Sequence, residues 1–126
     1  VVGPGSLYTS IMPNLLVPEI TRAIRASQAP KVYVCNVATQ PGETDRYSTE
    51  RHLEAIETHV GPNLFDVMIT NNRLGRTELP SGASWVTLDS QNRPGLQVVQ
   101  ADLTSATQPW QHDSQKLAQR VMTVLA

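Results

Sequence analysis

Short apolar runs alternate with stretches of helical spacing along this chain, and each run ends in a turn. Val1 and Val2 read as the end of a strand and lead into Gly3, Pro4, Gly5 and Ser6. A helical pattern begins at Leu15 and Leu16, with Pro13 suited to a first turn. Pro18 should break it, because its ring disfavours helix at Val17, and a fresh start is expected at Glu19. Ile20, Ala23 and Ile24 continue at helical spacing until residues 27–30 end the element. The β-branched and aromatic run 31–36 predicts a buried strand. Residues 39–47 form a turn-rich loop. Residues 48–60 predict a helix with Leu53, Ile56 and Val60 inward, stopped by Gly61, Pro62 and Asn63. A third strand is expected over 64–70, ended by Asn71 and Asn72. The pattern weakens from 73 to 94, with a short strand expected at 85–88 and another within 96–103. Asp113 should cap a last helix carrying Leu117, Val121, Val124 and Leu125 on one face.

Strand, helix, strand, helix, strand is the signature of an α/β fold with a mainly parallel sheet flanked by helices. We expect one such domain over residues 1–126. Parallel strands joined by right-handed crossovers send loops 3–10, 36–47 and 70–73 to one edge. Ligands of open α/β sheets bind at that carboxyl edge.

The first loop offers Gly3 and Gly5, where backbone can turn without a Cβ, and the hydroxyls of Ser6, Thr9 and Ser10. Amides beside hydroxyls at a helix start suit a phosphate. The stretch matches neither GxGxxG nor the P-loop pattern, and a plain tight turn explains the same residues. The second loop is richer: Asn36, Thr39, Gln40, Gly42, Glu43, Thr44, Asp45 and Tyr47. Gln40 could read a base or sugar edge, Glu43 or Asp45 a sugar hydroxyl or magnesium, and Tyr47 could stack on a ring. The alternative is a solvated loop in which Asp45 or Ser48 caps the next helix. Asn71 closes the edge. His52 and His59 lie about 10 Å apart along one helix, too far to share a metal, and no zinc spacing exists. Cys35 is expected to be a buried strand residue, and His112 a surface histidine beside the capping Asp113.

Composition narrows the class. The chain has 126 residues, 40% hydrophobic and 17% charged, as a globular domain requires. Its net charge of −1 is scattered, so no basic block points to nucleic acid or a membrane surface. Cys35 is the only cysteine, which excludes an internal disulfide and suits a cytoplasmic location. No apolar stretch approaches the roughly 20 residues that span a bilayer. The strand-first start leads us to expect a piece of a longer protein, with a strand-bearing segment upstream. A homo-oligomer is left open.

The stretches VVGPGSLYTSIMPNLLVPEI, KVYVCNVATQPGETDRY and LFDVMITNN resemble, in order and spacing, the C-terminal half of the YvcK/CofD-like family. Its members are called gluconeogenesis factors, and the branch is related to 2-phospho-L-lactate transferase. The closing QHDSQKLAQRV is similar to the family's last helix. The resemblance implies a Rossmann-like fold without the family's N-terminal half, which carries a GGGTG turn. It further implies a non-enzymatic regulator that binds a UDP-sugar such as UDP-N-acetylglucosamine and couples carbon metabolism to envelope synthesis and cell shape. Tyr47 stands where that branch places a UDP-sugar contact. The alternative it implies is a transferase that moves a phospholactyl group to a deazaflavin precursor with Mg²⁺. GPGSLYTS departs from the GPSNP of transferase members, which favours the regulator, with no cofactor. Ala38 and Arg46 stand where the family usually carries Met and Gly, and residues 74–95 match only loosely.

Overall fold

The computed structural model describes residues 1–75, 78–89 and 93–126. Positions 76–77 and 90–92, within the stretch of weak sequence pattern, lie outside it. A π-helical turn, Leu7–Ile11, runs directly into α1 (Met12–Leu15). Then follow α2 (Pro18–Ala26), β1 (Val32–Val34), α3 (Thr49–Val60), β2 (Val67–Asn71), β3 (Gln97–Ala101) and α4 (Ser114–Leu125).

The three strands form one parallel sheet in the order β1-β2-β3. Val2 extends it beyond β1: its N–H donates to Val32 O at 2.8 Å and its carbonyl accepts from Val34 N at 2.9 Å. β1 and β2 are buried on both faces, as helix-covered parallel strands are, whereas the edge strand β3 is largely exposed or half-buried. Their alternation sorts side chains into two cores. Tyr33, Cys35 and Met68 pack with Leu7, Ile11, Leu15, Leu53 and Ile56 of the helices on one face. Val32, Val34, Val67 and Ile69 pack on the other with Leu117, Val121 and Val124 of α4. Each fully buried aliphatic side chain, Leu53 and Ile56 among them, contributes about 1.5–3 kcal/mol.

Sequence chemistry accounts for most boundaries. Pro18 opens α2 itself, one residue before the expected start, because proline fits a first helical position. The Thr21 hydroxyl donates to the Leu15 carbonyl left free at that break. Ser48 caps α3 by accepting from Arg51 N at 3.2 Å. Asp113 caps α4, accepting from Gln115 N and Lys116 N, both at 2.9 Å. Asp113→Ala should therefore cost about 1 kcal/mol, read as a lower urea midpoint with an unchanged slope.

Two expectations are corrected. Residues 85–88 form no strand; Trp85 makes a single antiparallel bridge to Ala38, after which Val86 turns into the core. The first helical segment begins at Leu7, earlier than the apolar spacing indicated, as a π turn whose Ser10 and Ile11 amides both donate to Ser6 O. Among the described residues no helix is long and apolar enough to cross a membrane.

Candidate functional site

Because Val2, β1, β2 and β3 are parallel, the segments that follow them leave at one edge of the sheet. A cavity of about 470 Å³ opens there. Its lining comes from the turn after Val2, the loop after β1, Pro80 and Ala83, and the segment that joins β3 to α4.

The first turn is held by packing and by Asn36. Gly3 has φ +80°, and a Cβ there would lie 2.6 Å from the Val34 carbonyl oxygen. Asn36 accepts from the Gly5 N–H at 3.1 Å and donates to the Gly5 carbonyl at 2.9 Å. The Ser6 hydroxyl donates to a Glu43 carboxylate oxygen at 2.9 Å and accepts from the Thr9 hydroxyl at 2.6 Å. Ser6 thus ties the first loop to the second.

The second loop is organised by its own side chains. Thr44, fully buried, accepts from the Gln40 N–H at 2.8 Å. Thr39 accepts from the Ser84 N–H at 2.9 Å. Asp45 accepts from the Gly42 N–H at 2.8 Å. Tyr47 shares a 2.8 Å hydrogen bond with Tyr8, sets its ring edge-on to His52 and lies under the Arg51 guanidinium, 5.4 Å away. That hydrogen bond raises the Tyr8 pKa, with burial adding to it. Tyr47 is a half-buried side chain packed on the core.

The predicted site residues therefore separate. Gly5, Ser6, Asn36, Thr39 and Gln40 line the cavity. Gly3, Thr9, Gly42, Glu43, Thr44 and Tyr47 stand outside its lining, and their bonds or packing hold the loops. Asn71 is buried at the end of β2, where it donates to Arg73 O and accepts from Leu103 N. Glu43 and Asp45, the expected magnesium ligands, are both engaged within their loops. Among the described residues no three His, Cys, Asp or Glu side chains are grouped to hold a metal ion.

Sequence reasoning missed one contribution. Trp110, Gln111 and His112 also line the cavity, so His112 is not the surface histidine expected. Its pKa is lowered by burial, against the opposing pull of the Cys35 backbone. The signal was present in the topology: a loop after a third parallel strand had to reach the same edge. His52 is buried with its Nδ1 donating to Ser48 O at 2.7 Å, and burial lowers its pKa too. Burial pushes the Cys35 thiol up to about 12, which leaves it an inert core residue.

An open parallel sheet with glycine-bearing turns around a carboxyl-edge cavity defines an α/β domain of the Rossmann-like class. The chain belongs to the CofD family, whose model, 2-phospho-L-lactate transferase CofD, matches residues 1–125. It is 37% identical to the gluconeogenesis factor of Bacillus subtilis, over 99% of this chain and 42% of that protein. To the gluconeogenesis factor of Listeria monocytogenes it is 38% identical, over 99% of this chain and 40% of that one. A crystal structure of a UPF0052 family member from Bacillus halodurans superposes with a TM-score of 0.83 at 34% identity, covering 96% of this chain and 41% of that chain. The chain thus spans about two fifths of the length of these relatives.

Proposed function

We propose that this chain forms the nucleotide-binding edge of a cytoplasmic regulator. Its ligand is a UDP-sugar of the UDP-N-acetylglucosamine type, and its output couples carbon metabolism to envelope synthesis and cell shape without chemistry of its own. The observation that carries this reading is the cavity at the carboxyl edge of the sheet, where Gly5, Ser6 and Gln40 meet. A parallel sheet offers its ligands that edge. The relatives' shared name, gluconeogenesis factor, supports a role in carbon metabolism.

A second reading, phospholactyl transfer to a deazaflavin precursor, is favoured by the name of the family model. It would hold magnesium through Glu43 or Asp45, whose carboxylates each accept one hydrogen bond within their loop and keep a second oxygen for the metal.

Calorimetric titration of UDP-N-acetylglucosamine into the full-length protein separates the two. Binding is expected, and Tyr47→Ala should weaken it about tenfold or more, near 1.4 kcal/mol, by releasing Tyr8 and the end of the second loop. Because Tyr47 packs on His52, the variant's melting temperature is measured alongside. Tyr47→Phe keeps the packing and removes only the hydroxyl bond to Tyr8. Absence of binding by the unaltered protein would sink the regulator reading and direct the test to a transferase assay with magnesium.

A further inference from the structure

A parallel strand bonds to one neighbour through alternate residues and turns the others away. In β3 the Gln97 N–H donates to Asp66 O at 2.9 Å, and the Ala101 carbonyl accepts from Asn72 N at 3.0 Å. Gln97, Val99 and Ala101 therefore face β2, and Val98 and Gln100 point their N–H and C=O groups outward. Among the described residues no strand lies on that side, because β3 ends the sheet.

Proteins blunt an open edge with a charge, a proline, a bulge or a covering element. The strand QVVQA carries neither charge nor proline. It runs in register with β2 over its whole length, with no bulge. Gln97 and Gln100 are exposed, and Val98 and Val99 only half-buried. The open stretch also has fixed ends. The Leu96 N–H is already bonded to Arg93 O at 3.1 Å. At the other end Asp102 accepts from Thr104 N, the Thr104 hydroxyl, Lys116 and Arg73, which turns the chain out of the sheet.

The outward groups that remain lie symmetrically about Val99, and this symmetry selects the occupant. A second copy laid antiparallel, with a two-fold axis at Val99, sets Val98 opposite Gln100 of the other copy, and Gln100 opposite its Val98. Each such pair exchanges both of its hydrogen bonds, so every outward N–H meets a carbonyl. The contact is self-complementary, as a two-fold dimer requires. No like charges face each other across it, because the strand has none. We propose that the outer edge of β3 joins two copies of this chain, paired antiparallel about Val99, so that their sheets become one. The inference is independent of the ligand reading above.

Sedimentation velocity of the full-length protein, over a dilution series, tests it on the unaltered chain and on Gln100→Pro and Gln100→Lys. Proline at 100 removes an outward N–H and leaves the bonds to β2 in place. Lysine keeps the backbone and adds the charge that blunts natural edges. A dimer is expected, and both variants should raise its dissociation constant about tenfold or more. Val99→Cys fixes the register. Facing residues of a non-hydrogen-bonded antiparallel pair have Cα atoms about 4.5 Å apart, within reach of a disulfide. Oxidation with diamide, which takes up the two electrons and two protons of the paired thiols, should give a covalent dimer. Cys35 is buried, and the unaltered protein oxidised alongside is the control. A monomeric unaltered protein overturns the inference, whether β3 is then bare or covered by another part of its own chain. A dimer whose dissociation constant both variants leave within about twofold, or one that Val99→Cys does not cross-link, overturns it as well. If Gln100→Pro fails to fold, Gln100→Lys decides.

Discussion

Replacing Gly3 by alanine is expected to destabilise the protein by about 2–5 kcal/mol, the sum of left-handed backbone strain and overpacking against a rigid neighbour. At φ +80° any Cβ is strained, and this one would meet the Val34 carbonyl oxygen at 2.6 Å. That oxygen belongs to the backbone of β1, the strand on which Val2 pairs. It cannot rotate away as a flexible side chain would. Gly42 supplies the control. Its φ is +81°, yet nothing lies within 4 Å of a Cβ built there, so Gly42→Ala should cost only the backbone strain, about 1–2 kcal/mol. Urea unfolding of both variants measures the difference. Since small domains are stable by about 5–15 kcal/mol, Gly3→Ala approaches the limit of what the fold tolerates. Equal midpoints for the two variants would show that β1 yields to the extra carbon. Nucleotide affinity in Gly3→Ala should fall only as far as the folded fraction falls. Gly3 is thus a close-packing residue at the turn that leads into the site.

The strands and the edge were legible in the sequence because their causes are local. β-branched runs mark strands buried on both faces, Pro18 marks a helix start, and Ser48 and Asp113 mark caps. Once the sheet is parallel, the shared edge follows from chain direction alone. What escaped depends on pairings between distant segments. Asn36, Thr39 and Thr44 carry groups that suit a ligand, but the same groups imitate backbone and fix loops. Nothing local says which role wins. Asn36 reaches Gly5 across 31 residues, and Ser6 reaches Glu43 across 37. His112 was read by its neighbour Asp113, a cap, whereas its place in the cavity lining comes from the sheet order. The π turn at Leu7–Ile11 has no periodicity that a five-residue window could reveal.

Asn71 gives the second large effect and the sharpest choice between ligand contact and clamp. It is buried, its Nδ2 donates to Arg73 O at 2.7 Å, and its Oδ1 accepts from Leu103 N at 3.1 Å. One side chain therefore joins the exit of β2 to the exit of β3, just past the last paired residues, Asn71 and Ala101. Leu103 is fully buried, so no water replaces the lost acceptor. Asn71→Ala should cost about 2–4 kcal/mol, from an unsatisfied buried amide and the loss of one ordinary hydrogen bond. Asn71→Asp keeps the acceptor for Leu103 but replaces the donor by a carboxylate facing the Arg73 carbonyl. It should be destabilised at neutral pH and recover part of the loss on acidification, when the carboxyl is protonated and donates again. Chemical denaturation across pH reads both effects, and titration of the folded variants with UDP-N-acetylglucosamine reads the alternative. A clamp lowers stability and leaves affinity within about twofold, a change of only about 0.4 kcal/mol. If Asn71→Ala kept its denaturation midpoint and lost the nucleotide, Asn71 would be a ligand contact, and the cavity would have to extend past β2 to reach it.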